Sequence, residues 1–204
     1  MNASLNRTRL IAAAALACAA AAPAFAGDFM VRARALYLEP ANEGTYIAED
    51  VSVNSKYIWE VDASYFVTPN VALELIATSP QRQTVSLGGN KIGTLRHLPP
   101  TLTLQYHFAP ENPTARPYVG FGVNYTRFSA QKMEAAGGTV TLDKSSRGVA
   151  FQVGCDFPIT KDISFNVDFK KINIRAEAHH SSLGNIGTVK IDPTVFGVGI
   201  GYRF

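Results

Sequence analysis

The side chains able to do acid, base or ionic chemistry fall into two sets. The first recurs at even spacing: Arg32 and Arg34, Glu60 and Asp62, Glu74, Gln105 and His107, Gln152, Asp156, Asp168 and Lys170, then Arg203. Both signs of charge occur, so the set can neutralise itself if the fold gathers it, and a buried charge needs such a partner. This predicts an internal ionic and hydrogen-bond network. The second set is contiguous, in "AEAHHSS": Glu177, His179, His180, Ser181 and Ser182. A carboxylate, an imidazole and a hydroxyl would serve a lipid-deacylating hydrolase if held within hydrogen-bond reach. Neighbours on an extended chain point apart, and the stretch reads as a mobile loop tip. Two adjacent histidines also lack the further ligands of a metal site. "GVGIG" has neither the spacing of a dinucleotide loop nor a following helix. No catalytic residue, metal or cofactor is expected, and Cys155 in "VGCDF" reads as a small hydrophobe.

What places residues two apart on one side is a strand. In "FMVRARALYLE" one parity holds Phe29, Val31, Ala33, Ala35 and Tyr37, the other Arg32, Arg34, Leu36 and Leu38. "WEVDASYFV" separates Trp59, Val61 and Tyr65 from Glu60, Asp62 and Ser64. "VALELIAT", "TLTLQYHF", "YVGFGVNY", "GVAFQVGCDF", "ISFNVDFK" and "VFGVGIGYRF" divide in the same way. That makes eight strands. Their links alternate between short turns ("TPN", "APENPTA", "PITKD") and long polar loops near residues 40–54, 79–97, 130–146 and 177–189. An even strand count, dyad alternation and this loop rhythm predict an all-β fold: an eight-stranded antiparallel transmembrane β-barrel. A soluble β-sandwich would also alternate, but without the rhythm of loop lengths or aromatic residues near strand ends.

The first residues read as a signal peptide. Arg7 and Arg9 precede "LIAAAALACAAAA", and "AFA" at 24–26 fits a cleavage site, dividing the chain into 1–26 (leader) and 27–204 (barrel). The formal charge of +3 falls to +1 once Arg7 and Arg9 leave, and gives no reason to expect nucleic acid. The expected location is the outer membrane of a Gram-negative bacterium. In a barrel the apolar parity meets lipid and the mixed parity fills the interior. Gly120, Gly122, Gly148, Gly154, Gly197, Gly199 and Gly201 share that interior parity. They either admit large neighbours such as Arg34 and Tyr118 or leave a cavity. The apolar inward residues Leu36, Leu38 and Ile76 are the candidate channel lining, and Pro99 and Pro100, which cannot donate ladder hydrogen bonds, a candidate lateral gap. Tyr202 and Phe204 form an ending suited to recognition by the barrel assembly machinery.

"VRARALYLEP", "NVALELIATSP", "HLPPTLTLQYHF", "RPYVGFGVNYT", "GVAFQVGCDF" and "DPTVFGVGIGYRF" together resemble the outer membrane protein W family, in order along nearly the whole chain after residue 27. The resemblance implies an eight-stranded outer-membrane barrel with a narrow apolar-lined channel for small hydrophobic solutes. Its surroundings would be outer-membrane lipids and lipopolysaccharide, and it implies possible use as a receptor by phage or bacteriocin. The chain departs from the family in "FKKINIRAE", where Lys170 and Lys171 replace an aromatic-rich stretch and are expected to make that rim basic. The expected function is a conduit for hydrophobic molecules with sideways release. The alternative is a structural or adhesive barrel acting through its loops, with a lipid A-modifying enzyme as a third reading.

Overall fold

The computed structural model describes residues 28–45 and 50–204, without the side chains of residues 81, 130 and 132. The expected leader and the start at Gly27 lie outside the described residues. Fifteen strands follow one another. They are β1 (Phe29–Glu39), β2 (Glu43–Gly44), β3 (Val51–Val53), β4 (Lys56–Thr68), β5 (Val71–Thr78), β6 (Gln81–Leu87), β7 (Asn90–Leu98) and β8 (Thr101–His107). The rest are β9 (Arg116–Ala135), β10 (Gly138–Leu142), β11 (Ser145–Pro158), β12 (Ile163–Ile172), β13 (Arg175–His180), β14 (Gly184–Lys190) and β15 (Thr194–Arg203). No described helix is long and apolar enough to cross a membrane.

Eight of these strands close on themselves in the order β1, β4, β5, β8, β9, β11, β12, β15 and back to β1, each neighbour antiparallel. Closure pairs every wall strand on both sides, the condition for crossing lipid without stranded backbone groups. Trp59, Leu75, Leu104, Phe121, Phe151 and Ile200 are exposed on the outside, while Arg32, Arg34, Glu74 and Asn166 are sealed inside. The alternation is therefore inverted relative to a soluble sandwich.

The inward glycines admit neighbours. A Cβ on Gly154 would strike the Tyr118 ring, one on Gly199 the Ala33 carbonyl and Arg34 Cα, and one on Gly201 would crowd Arg32 and Ser164. Of the two readings of that glycine row, close packing around large side chains is the one observed.

The short turns are stapled by their own side chains. Thr68 Oγ1 accepts from the amides of Asn70 and Val71, Asn112 Oδ1 from Thr114 and Ala115, and Thr160 Oγ1 from Asp162 and Ile163. The long links correct an expectation. They are not simply polar loops, because seven of the fifteen strands lie in them and continue the wall upward. Their inner faces bury Val51, Val53, Val85, Leu95, Met133, Val140, Ile186 and Val189 in one core with Leu36 and Leu38. Strands such as β3, β6 and β10 are short, with outer faces of Ser, Thr and Arg, so their alternation is masked by composition.

Candidate functional site

The interior is layered, and β1, β4 and β12 read the layers in the same order. Upward along β1 the inward residues are Met30, Arg32, Arg34, Leu36 and Leu38; downward along β4 they are Ile58, Glu60, Asp62, Ser64 and Phe66. Up β12 come Ser164, Asn166, Asp168, Lys170 and Ile172. The lowest layer is an aromatic floor. Phe66 packs with Met30 and Ala72, and the His107 ring lies 4.9 Å from Phe66 and 5.0 Å from Tyr118.

Above it lies the ionic layer. Arg32 makes a forked contact with Asp156, Nη2 to Oδ2 at 2.9 Å and Nε to Oδ1 at 3.2 Å, and reaches Asp62 at 3.2 Å. Bidentate pairing of this kind is the stronger class of ion pair. Arg34 donates to Glu60 at 2.6 Å and to Glu74 at 3.2 Å, lies 3.0 Å from Asp62 and gives its Nε–H to Asn166. Lys170 closes the layer against Glu60 at 2.8 Å and Asp168 at 2.5 Å. Three cations thus face five carboxylates, and neutral donors take up the surplus. Thr103 donates to Glu74, Tyr118 and Gln152 to Asp168, and Asn166 to Asp156. Gln105 joins through Gln152 and His107.

Two expectations need correction. Arg203 stands outside the network, at the lower rim. It pairs with exposed Asp28 at 2.8 Å and covers the Phe66 ring at 4.2 Å, because β15 ends there. Nor do Lys170 and Lys171 together form a basic rim. Consecutive strand residues face opposite ways, so Lys170 is buried in the ionic layer, while Lys171 bonds the Asp192 carbonyl and Thr194.

Above Lys170 most of the lining turns apolar. Leu36, Leu38, Ile58, Ala150, Ile172 and Val195 line the mouth on β1, β4, β11, β12 and β15 and merge with the core of the strand extension, while Thr101, Asn124 and Thr126 keep a hydrogen-bonded polar arc on β8 and β9. Ile76 is equally buried, one step above Glu74 on β5. A lipid-side depression between Val153, Phe157 and Phe169 lies on the outer wall, away from this lining.

The wall has a seam at this height. The last β5–β8 pair is Ile76 with Thr101, and the first β6–β7 pair is Gln81 with His97. Between them, Ala77, Thr78 and Pro80 pass Leu98, Pro99 and Pro100 without a ladder pair, and the three prolines have no N–H to offer. Pro99 and Pro100 still accept, from Thr101, Asn124 and Tyr125, so β9 holds this segment on its other side. Beside the seam, Thr78 Oγ1, Gln83 Oε1 and His97 Nδ1 are buried without a hydrogen-bond partner among the described residues. Such groups cost about 1–3 kcal/mol each. His97 sits above the lipid-facing belt, where burial, aided by the Lys56 charge, holds its pKa down at about 4. Sequence reasoning missed Gln83 and His97. Their inward parity within "QRQTVSL" and "NKIGTLRHL" was the available signal.

The histidine-serine cluster is a strand end rather than a mobile tip. His180 Nε2 bonds the Ala135 carbonyl, its Nδ1 accepts from the amides of Ser182 and Leu183, and Ser181 Oγ accepts from Thr139 N. His179 points the other way, toward Asp143 at 3.4 Å.

The OmpW family model matches residues 25–204. Outer-membrane protein y4mB of Sinorhizobium fredii is 36% identical, the match covering 98% of this chain and 96% of that protein. Outer membrane protein W of Vibrio cholerae is 32% identical, covering 94% and 96%. Among solved structures, the outer membrane protein OprG from Pseudomonas aeruginosa superposes with a TM-score of 0.75 at 27% identity, over 88% of this chain and 96% of that one.

Proposed function

The chain belongs to the OmpW family of outer-membrane barrels, and from that premise we propose that it is a passive conduit for small hydrophobic molecules, which enter from above and leave sideways into the membrane. The carrying observation is the change of lining. An apolar molecule gains by contact with Leu36, Leu38 and Ile76, whereas the ionic layer beneath bars its straight descent, since entering it would separate charges from partners. The remaining exit is the wall. The seam at Pro80, Pro99 and Pro100 is a part of that wall where the ladder pairs lapse. Thr78, Gln83 and His97, buried beside it without a hydrogen-bond partner among the described residues, make the closed seam less stable and so lower the cost of opening.

The test is uptake of a labelled hydrophobic probe by cells carrying the wild type, Ile76→Arg, or Pro99→Val/Pro100→Val. The arginine is expected to block the lining. The valines restore amide donors at the seam and are expected to slow release. Uptake unchanged in both variants would remove the lining and the seam from the route and favour a barrel that acts through its surface.

A further inference from the structure

We propose that a row of outward-facing arginines on one side of the barrel, Arg82, Arg96, Arg127 and Arg147, binds the phosphate groups of lipopolysaccharide in the outer leaflet. The row follows from the strand register. Arg82 lies directly opposite Arg96 across the β6–β7 pair. Arg96 is opposite Ser129, which puts it diagonal to Arg127 on β9. Arg147 is opposite Tyr125, which puts it diagonal to Arg127 on the other side. Diagonal neighbours lie about 7–8 Å apart, within reach of long side chains. Like charges set directly opposite each other are unfavourable, so a self-contained surface would place a carboxylate among them. None of the four has an acidic partner within ion-pair distance among the described residues. From Glu74 to Glu134 the only intervening acidic residue in the chain is Glu111, which lies in a short turn at the other end.

The height of the row identifies the anion. On β9 the outward column reads Val119, Phe121, Val123 and Tyr125 and then meets Arg127; on β11 it reads Val153, Phe151 and Val149 and then Arg147. On the third wall Tyr106, Leu104, Leu102 and Leu98 lead up to Arg96. Arg127, Arg147 and Arg96 therefore each cap a column that faces acyl chains, with Arg82 beside Arg96, on the long-loop side, which faces outward from the cell. The opposite wall ends differently, in Glu39, Tyr57 and Thr194. A ligand with phosphates at the arginines and several acyl chains in the columns below is a phosphorylated glycolipid. Guanidinium forks match phosphate geometry. This assignment is independent of whether the barrel conducts.

The experiment titrates the refolded barrel in neutral detergent with bis-phosphorylated lipid A, with the same lipid dephosphorylated, and with inorganic phosphate as competitor. The native protein is expected to bind the phosphorylated lipid at least about tenfold more tightly, and more weakly as salt rises. R82Q/R96Q/R127Q/R147Q, and to a smaller degree R127Q/R147Q, should lose that preference, while K161Q at the opposite rim keeps it. Equal binding of both lipids by the native barrel overturns the proposal and needs no variant to fold. Equal preference in a folded quadruple variant, or full displacement by millimolar inorganic phosphate, overturns it too.

Discussion

The lower and upper halves of the barrel interior are built on the same strands and packed on opposite principles. On β1, Arg34 and Leu36 are two residues apart, and on β4 so are Glu60 and Ile58, a rise of about 7 Å. Below that step, specific pairs and neutral donors account for the charges; above it, the side chains on β1 and β4 meet by shape, and the polar residues of β8 and β9, such as Thr101, Asn124 and Thr126, bond one another without a charge. The outer face does not register the change at that step, where Ala35, Tyr37, Trp59 and Phe196 continue the apolar exterior. The contrast shows that one set of strands can carry an ionic layer and an apolar layer at different depths.

The most forceful way to break the contrast is Arg34→Met. It leaves Glu60, Asp62 and Glu74 without their shared cation, and should cost about 3–5 kcal/mol, read as a lowered urea midpoint of the refolded barrel. Leu38→Ala attacks the upper half. We expect a loss of roughly 2–4 kcal/mol, with faster hydrogen exchange confined to the strand extension and the ionic layer unmoved. The third test uses pH. His97 is neutral in the folded protein, with a pKa of about 4 against 6.5 unfolded. A lowered histidine pKa means that the unfolded chain takes up the proton first, so stability present above pH 6.5 is lost as pH falls toward 4. At pH 5 the loss is about 2 kcal/mol for the β6–β7 hairpin. Exchange protection there should fall on acidification in the native protein and stay flat in His97→Gln. The smallest effect compares two glycines on β15. Gly199, opposite Arg34, has no room for a Cβ because the Ala33 carbonyl is in the way; Gly197, opposite Leu36, would meet the movable end of Leu36. Gly199→Ala should cost about 1–3 kcal/mol and Gly197→Ala less than about 1.

Much of this molecule was legible in its sequence because strand alternation is a local property. The parity of "VRARAL" and "WEVDAS" alone puts Arg32, Arg34, Glu60 and Asp62 on one face, and the short-turn, long-link rhythm implies closure in a membrane. The strand extension was not legible, since Ser, Thr and Arg on its outer faces conceal short runs such as Val51 to Val53.

Alternation and turn chemistry by themselves determined the fold class, the inward and outward faces and most of the charged residues that share the inward face. The tertiary structure alone decided that Arg32 forks onto Asp156, 124 residues away, that Lys170 roofs the charged layer while Arg203 is left at the rim, where the ladder lapses at the prolines, and that four arginines far apart in sequence stand in one row. The physical reason is that a side chain's face depends on its own backbone, whereas its partner depends on the register between strands that meet only when the barrel closes.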